Sequence, residues 1–358
     1  MVSAETPRVA FFTKSKRTTL YTTFIIRALR RIGCKMLSIN MSSLRRLYGQ
    51  SGANAIARRR LDNFRPDACV IFSSDIEDAT LDYLVGRTKT ALLLDDYYPV
   101  DSPLLSKIRK VDVFFLTSTG QIQAYKEAGA KSVVYLHSGV DPDDHRRGRF
   151  KKRFQSDVAF IGKANFAERV DMITLLSQRV DLKVYGARWD QYGINATKET
   201  VGVRDFRRVC ASAKIVFGMD KTVDQELYFS NRTWFVLGCG GFLLTRYVPR
   251  LEDLFANHRH LAWFRELDEA VELIDYYRKN DRAREQIQEE GFRFAHEHYP
   301  FDRMASNIRR VLFAGEQPLP FTATGPDGPV PGATDDANGT DSARALRAWQ
   351  PEPKETGS

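Results

Sequence analysis

The chain has 358 residues, 43% of them hydrophobic, and no uninterrupted apolar run approaches the roughly 18 to 20 residues that cross a bilayer. That length exceeds what one hydrophobic core supports and predicts about two domains. The N-terminal MVSAETPRVAFF lacks the basic, apolar and small-residue succession of a signal peptide, so a cytoplasmic protein without a transmembrane segment is expected.

In chain order, the first half gives six short β-branched or aromatic runs: RVAFF (8–12), KMLSI (35–39), ACVIF (68–72), TALLL (90–94), DVFFL (112–116) and SVVYL (132–136). Helical patterns such as TLYTTFIIRALRRIG separate them, that one stopping at Gly33. Residues 146–154, RRGRFKKRF, form a basic linker. The second half adds DVAFIG (157–162), DLKVYG (181–186), KIVFGM (214–219) and GFLLT (241–245), with helices near 166–179, 204–212, 231–238 and 250–256. Residues 267–313 read as helical apart from a break at 298–301. Strands alternating with helices predict an α/β protein of two Rossmann-like doubly wound domains facing across a cleft, over 1–145 and 155–314. The stretch 315–358 holds seven of the fourteen prolines and is too polar to pack, so a disordered tail is expected.

Charge sorts along this order. The net charge is +9, yet residues 1–65 alone carry fourteen Lys or Arg against two acids, and the linker adds six more cations. The surplus predicts attraction to an anionic partner, whether nucleic acid, membrane surface or acidic polymer, although RALRR and ARRRL also suit solvated helix faces. Cys34, Cys69, Cys210 and Cys239 lack C-x-x-C spacing and read as reduced, buried thiols. The pairs His258/His260 and His296/His298 place alternate residues on different faces, so no metal site is expected.

In open α/β sheets ligands bind outside the carboxyl ends of the strands. That rule selects Asp75, Asp95, Asp96 and His137 in the first domain as candidate general bases, against the ordinary use of Asp in turns and caps. In the second domain it selects Gly162, Lys163, Tyr185 and Gly186. The stretch SNRTWFVLGCGGFLLT (230–245) reads as a phosphate-binding turn: Ser230, Asn231 and Arg232 open a helix, where free N–H groups attract anions, and Gly240 and Gly241 turn the chain into the next strand. Ser-Asn is equally an ordinary helix cap and a Gly pair an ordinary stop.

SNRTWFVLGCGGFLLTRYVPRLEDLF resembles the donor-side signature of GT-B glycosyltransferases, in particular the spore-maturation-type group of glycosyl transferases family 1. DVAFIGKANFAERVDMITLL resembles that group's first donor-domain strand, glycine turn and helix; LKVYGARW resembles its base-side strand, VVYLHSGVDPDDH its interdomain crossover, and 267–308 its C-terminal helices. The resemblance implies transfer of a sugar from a nucleotide-diphosphate-sugar held by the second domain to an acceptor held by the first, with no cofactor and no metal. Lys163, Arg169 and Arg232 would stabilise the departing diphosphate, Tyr185, Gly186 and Trp189 would border the base, and Ser230 and Asn231 would donate to the phosphates. The acceptor is expected to be anionic (a cell-surface polymer, nucleic acid or protein), with peripheral contact to the inner membrane face open to the enzyme.

One position departs from the pattern. Three residues after the arginine the group commonly has Glu, which accepts from the ribose hydroxyls; this chain has Phe235. Another acid such as Asp220, Asp224 or Glu226 substitutes, or backbone grips the ribose, or the donor site has degenerated. Substitution fits the retained cations best. A non-catalytic nucleotide- or glycan-binding relative, and a nucleic-acid-binding or nucleic-acid-modifying protein on the same scaffold, are the alternative readings.

Overall fold

Short apolar runs with no polar alternation suit parallel strands covered on both faces, because a strand buried on both sides has no solvent face to mark. The computed structural model describes residues 6–13 and 20–319, and the runs pair as such strands. The first half builds β1 (Arg8–Phe12), α1 (Leu20–Arg31), β2 (Lys35–Ile39), α2 (Met41–Phe64), β3 (Ala68–Phe72), α3 (Asp78–Leu84), β4 (Lys89–Leu94), α4 (Leu105–Lys110), β5 (Val113–Leu116), α5 (Ile122–Glu127) and β6 (Val133–Tyr135). The six strands form one parallel sheet in the order β2-β1-β3-β4-β5-β6, with Val9 opposite Met36 on one side and Ala68 on the other.

The second half builds β7 (Ser156–Ile161), α6 (Ala167–Ser177), β8 (Leu182–Tyr185), α7 (Val203–Cys210), β9 (Ala213–Gly218), α8 (Arg232–Gly238), β10 (Leu243–Arg246), β11 (Ala262–Phe264), α9 (Leu267–Lys279), α10 (Asp281–His298) and α11 (Phe301–Arg309). Its five strands are parallel in the order β11-β10-β9-β7-β8. The helix expected near 250–256 is a single 3-10 turn, Leu251–Asp253, and the edge strand β11 was not anticipated. All four cysteines are buried thiols.

The chain forms two units, the first taking its described residues from Met1–Asp141, Asp224–Asn231 and His298–Pro320, the second from Pro142–Val223 and Arg232–Glu297. Two stretches that the sequence reading assigned to the second domain, 224–231 and 298–314, thus belong to the first. For α11 the cause is the aromatic break before it. Val140 N–H donates to Tyr299 O and Phe301 N–H to Val140 O, both at 2.8 Å. A Cβ on Gly139 would lie 2.2 Å from Tyr299 O, so only glycine permits that passage. Beyond it Phe301 sets its ring against Tyr21 at 5.6 Å and Phe24 at 5.5 Å on α1, and Asp302 pairs with Arg31 at 2.6 Å. Of the expected tail, only 315–319 fall within the described residues, and they form no strand or helix.

Candidate functional site

In the second unit β7 is flanked by β8 on one side and β9 on the other. The chain order reverses there, and the carboxyl ends of β7 and β9 flank the crevice where such sheets bind ligands. Gly162 and Lys163 follow β7; Met219 and Asp220 follow β9. Arg169, on α6, ties the two ends together. Its Nη1 donates to Lys163 O at 3.1 Å and Asn165 Oδ1 at 2.7 Å, and its Nη2 to Met219 O at 2.6 Å. At 6% exposure, over the Phe166 ring, this guanidinium is a strut beneath the crevice. The phosphate contact expected of Arg169 is therefore corrected to a positioning role, because its donors face protein carbonyls.

Arg232 is placed differently. It opens α8, its guanidinium lies 5.4 Å from the Phe160 ring, and a Cβ on Gly162 would be 3.5 Å from its Nη1. Burial lowers its pKa, while the charge of Asp220 opposes that shift. Lys163 is exposed beside it, its ammonium without an ion pair among the described residues. A guanidinium thus lies against a glycine at the switch point, with an exposed lysine next to that glycine in the chain, which favours an anionic ligand.

The backbone there is drawn tight. Gly186, with φ of 145°, leaves β8 so close to the β7 turn that a Cβ would lie 2.0 Å from Gly162 O and 3.2 Å from Lys163 N. Trp189 Nε1 donates to Gly162 O at 2.8 Å, and Ala164 N–H to Ala187 O at 3.1 Å. Trp189 is fully buried with its ring edge-on to Phe160; Tyr185 is fully buried beside Phe154, its hydroxyl pushed up to about 12 by burial. Neither ring is open to border a base, contrary to expectation: Trp189 braces the turn through Gly162 O, while Tyr185 packs with Phe154 and Val209.

Gly240 and Gly241 lie at the amino edge of the same sheet, ahead of β10. Gly240 has φ of 69°, and a Cβ on Gly241 would meet Val236 Cγ1 at 2.9 Å and Cys210 Cβ at 3.1 Å. They serve the turn and the packing, at the sheet edge opposite the cations, and are corrected accordingly. Phe235 stacks on His145 at 4.1 Å and stands edge-on to Phe206 at 6.4 Å, so an aromatic cluster occupies the position of the expected carboxylate. Of the substitute acids, Asp224 and Glu226 belong to the first unit, leaving Asp220 as the one beside Arg232.

In the first unit the stretch 224–231 seats itself on the loops that follow β4 and β5. Thr119 N–H donates to Glu226 O at 3.0 Å, and a Cβ on Gly120 would lie 2.9 Å from Glu226 N. Asn231 Nδ2 reaches Asp95 Oδ2 at 3.4 Å. Ser230 and Asn231 therefore cluster with the first unit, immediately before Arg232 opens α8 in the second. Tyr228, only 7% exposed, donates its hydroxyl to Asp96 Oδ1 at 2.6 Å, and Tyr97 N–H donates to the same oxygen at 2.8 Å. Asp96 is exposed, and its Oδ2 has no hydrogen-bond partner among the described residues. Nothing in the local sequence pattern pointed to Tyr228, whose partner is distant in the chain.

Asp75 follows β3 and is 6% exposed. His137 is 2% exposed: its Nδ1 bonds Ser138 O at 2.8 Å, its Nε2 lies 3.5 Å from Asn307 Nδ2, and Tyr299 stands edge-on at 5.0 Å. Burial pushes its pKa down to about 4. With both ring nitrogens engaged inside the unit, His137 is a packed histidine, and its candidacy as a base is corrected. His258 bonds the Tyr277 hydroxyl at 2.7 Å while His260 Nδ1 accepts from Ala256 N–H at 3.1 Å, so that pair does not converge.

Residues 166–310 match the family described as "Glycosyl transferase-like". No curated protein matches the sequence. Among solved structures the chain is similar to HepE of Anabaena in complex with UDP and glucose (TM-score 0.61, 11% identity, covering 86% of this chain and 100% of that one). It is also similar to sucrose-phosphate synthase of Thermosynechococcus elongatus (0.64, 8%, 87% and 100%) and to a glycosyltransferase of Rickettsia africae (0.63, 10%, 86% and 98%). The matched family includes α6, whose arginine braces the crevice, and Arg232 beside it. The chain thus has the two-domain GT-B fold of these structures, and its residues 166–310 are similar to the glycosyl transferase-like family.

Proposed function

We propose that the protein transfers a sugar from a nucleotide-diphosphate-sugar to the hydroxyl of an anionic acceptor. The observation that carries this reading is the Arg232 guanidinium against Gly162, which exposed Lys163 follows in the chain, at the switch point of the second sheet. Cations held in place before reaction stabilise the charge that develops on a departing diphosphate without reorganising at that moment. The bond from the anomeric carbon to the diphosphate oxygen breaks, and the bond to the acceptor oxygen forms. Asp96 Oδ2 takes the acceptor's proton; its other oxygen is already held by Tyr97 and Tyr228, which fixes the direction of the free lone pairs. The spore-maturation-type subgroup and a location at the inner membrane face are parts of the same proposal.

Phe235 favours one competing reading, a relative that binds nucleotide or glycan without turning it over, since ribose has no carboxylate at that position. A donor-release screen over common nucleotide-sugars separates the two. Turnover of one donor, lost in Arg232→Ala and in Asp96→Asn with melting behaviour retained, is expected. Binding without turnover across the screen would replace transfer by the competing reading.

A further inference from the structure

The residues Arg45 to Ser51 on α2, RRLYGQS, are consecutively exposed, although they lie within a helix. A helix packed on a sheet ordinarily buries one residue in every three or four, and α2 does so before this stretch at Met41 and Leu44 and after it at Ala53, Ala57 and Leu61. The interruption has a local cause. Gly49 takes φ of 66° and ψ of 179°, outside helical space, and a Cβ on Gly52 would lie 2.9 Å from Tyr48 Cβ. The two glycines let the helix buckle outward. At the crest stand Leu47, 66% exposed and the most exposed large apolar side chain among the described residues, and Tyr48, 57% exposed.

The surroundings of this crest are cationic. Arg45 and Arg46 precede the apolar pair, Arg58, Arg59 and Arg60 follow on the same helix, and Asp62 is its only acid. Arg46, Arg59 and Arg60 are exposed and form no ion pair or hydrogen bond with the described residues. Arg45 and Gln50 both bind Glu77, two residues beyond Asp75, so the crest is fastened to the same rim of the first sheet that carries the candidate acceptor carboxylates.

We infer that this crest of α2 docks on an anionic lipid surface, with Leu47 and Tyr48 entering the interface and the arginines meeting headgroup phosphates. Isolated exposed apolar residues are ordinary on protein surfaces. An adjacent exposed aliphatic and aromatic pair on a helix that carries five arginines is the composition that seats at a bilayer boundary, where tyrosine favours the headgroup level and cations are drawn to anionic leaflets. A polyanion such as a nucleic acid would use the arginines but would leave Leu47 in water. The inference deepens the acceptor half of the proposed function by giving that acceptor a lipid setting, and its test needs no nucleotide-sugar, so it fails separately from the sugar-transfer reading.

The experiment is sedimentation of the full chain with vesicles of mixed phosphatidylcholine and phosphatidylglycerol, against phosphatidylcholine alone. The expected result is binding to the anionic vesicles only. Arg46→Gln with Arg59→Gln and Arg60→Gln should weaken it by about fivefold per arginine, or roughly 100-fold together. Leu47→Ser with Tyr48→Ser should weaken it by about tenfold or more while the salt dependence persists. The emission of Tyr48→Trp should shift to the blue on adding anionic vesicles and not on adding duplex DNA. Failure to sediment with anionic vesicles at low salt overturns the inference. So does a Tyr48→Trp emission unmoved by vesicles, and so does binding to duplex DNA that matches vesicle binding and ignores the apolar pair, which would assign the surface to a polyanion.

Discussion

Tyr228 donates its hydroxyl to Asp96 Oδ1 at 2.6 Å across 132 residues of chain, and this bond joins the stretch preceding Arg232 to a carboxylate at the carboxyl edge of the first sheet. Tyr97 N–H takes the same oxygen, so Asp96 presents its other oxygen outward. A charge-assisted bond of this kind contributes about 1.5 to 3 kcal/mol. In the proposed reaction its role would be to orient Asp96 as the proton acceptor.

Tyr228→Phe should therefore lower kcat about tenfold while leaving the donor KM unchanged, the signature of an interaction felt mainly in the transition state. The ring contact between Tyr97 and Tyr228, with centroids 6.0 Å apart, survives that change, so melting behaviour should be retained. Steady-state kinetics of Tyr228→Phe and Tyr228→Ala separate orientation from packing. Equal losses in KM and none in kcat would assign Tyr228 to binding.

Arg169 and Arg232 lie near one another in function yet predict opposite outcomes. Arg169→Ala strands Lys163 O, Asn165 Oδ1 and Met219 O, and losing a buried network of this kind should cost about 3 kcal/mol of stability. Arg232→Ala removes a guanidinium that burial already disfavours. It should leave the melting temperature close to the parental value and lower turnover on the order of 100-fold. Thermal scans and donor-release rates on both variants decide it: the same phenotype in the two would mean that the strut and the ligand cation have been wrongly distinguished.

The strands were legible because a doubly buried parallel strand writes itself as an uninterrupted apolar run: ACVIF is β3 residue for residue. β11 was not, since three residues, AWF, carry too little pattern at a sheet edge. The place of Lys163 followed from the rule of strand ends, which depends on order alone, and that of Arg232 from reading 230–232 as the opening of a helix. Tyr185 and Trp189 failed for another reason: near a strand end, successive side chains alternate faces, and sequence does not say which face is closed. Membership of α11 and 224–231 in the first unit rests on long-range partners, Tyr21 for Phe301 and Thr119 for Glu226, which no local window contains. The role of Arg169 as a strut has a local sign, because Asn165 stands four residues before it on the approach to the helix, a spacing at which side chains meet.

Gly186 offers a test of the switch-point geometry that involves no charged group. In Gly186→Ala the new Cβ would have to displace Gly162 O, 2.0 Å away, from a residue already at φ of 145°. The β7 turn that carries Lys163 would be pushed aside. Calorimetric titration with the donor found by the screen should show binding weakened by about tenfold or more, with a loss of stability of about 2 kcal/mol or more from the strained backbone and displaced turn. Parental affinity in a folded Gly186→Ala protein would move the ligand elsewhere on the second sheet.

His137 sets a pH dependence for the first unit. Burial holds its folded-state pKa at about 4, against an ordinary value of about 6.5 in the unfolded chain. Between those values the unfolded state binds the proton and the folded state does not, so acidification favours unfolding. The contribution is fully present above about pH 6.5 and is lost as pH falls toward 4; on going from pH 7 to pH 5 it removes about 2 kcal/mol. His137→Gln should be less stable at pH 7, through its lost contacts with Ser138, Asn307 and Tyr299. Because Gln does not titrate, its stability should decline less between pH 7 and pH 5. Denaturant titrations of both proteins at the two pH values measure the difference. If the parental chain and His137→Gln lose stability by the same amount, His137 is not the group that titrates, and acid sensitivity must arise elsewhere, with His258, also held at about 4 by burial, as the next residue to substitute.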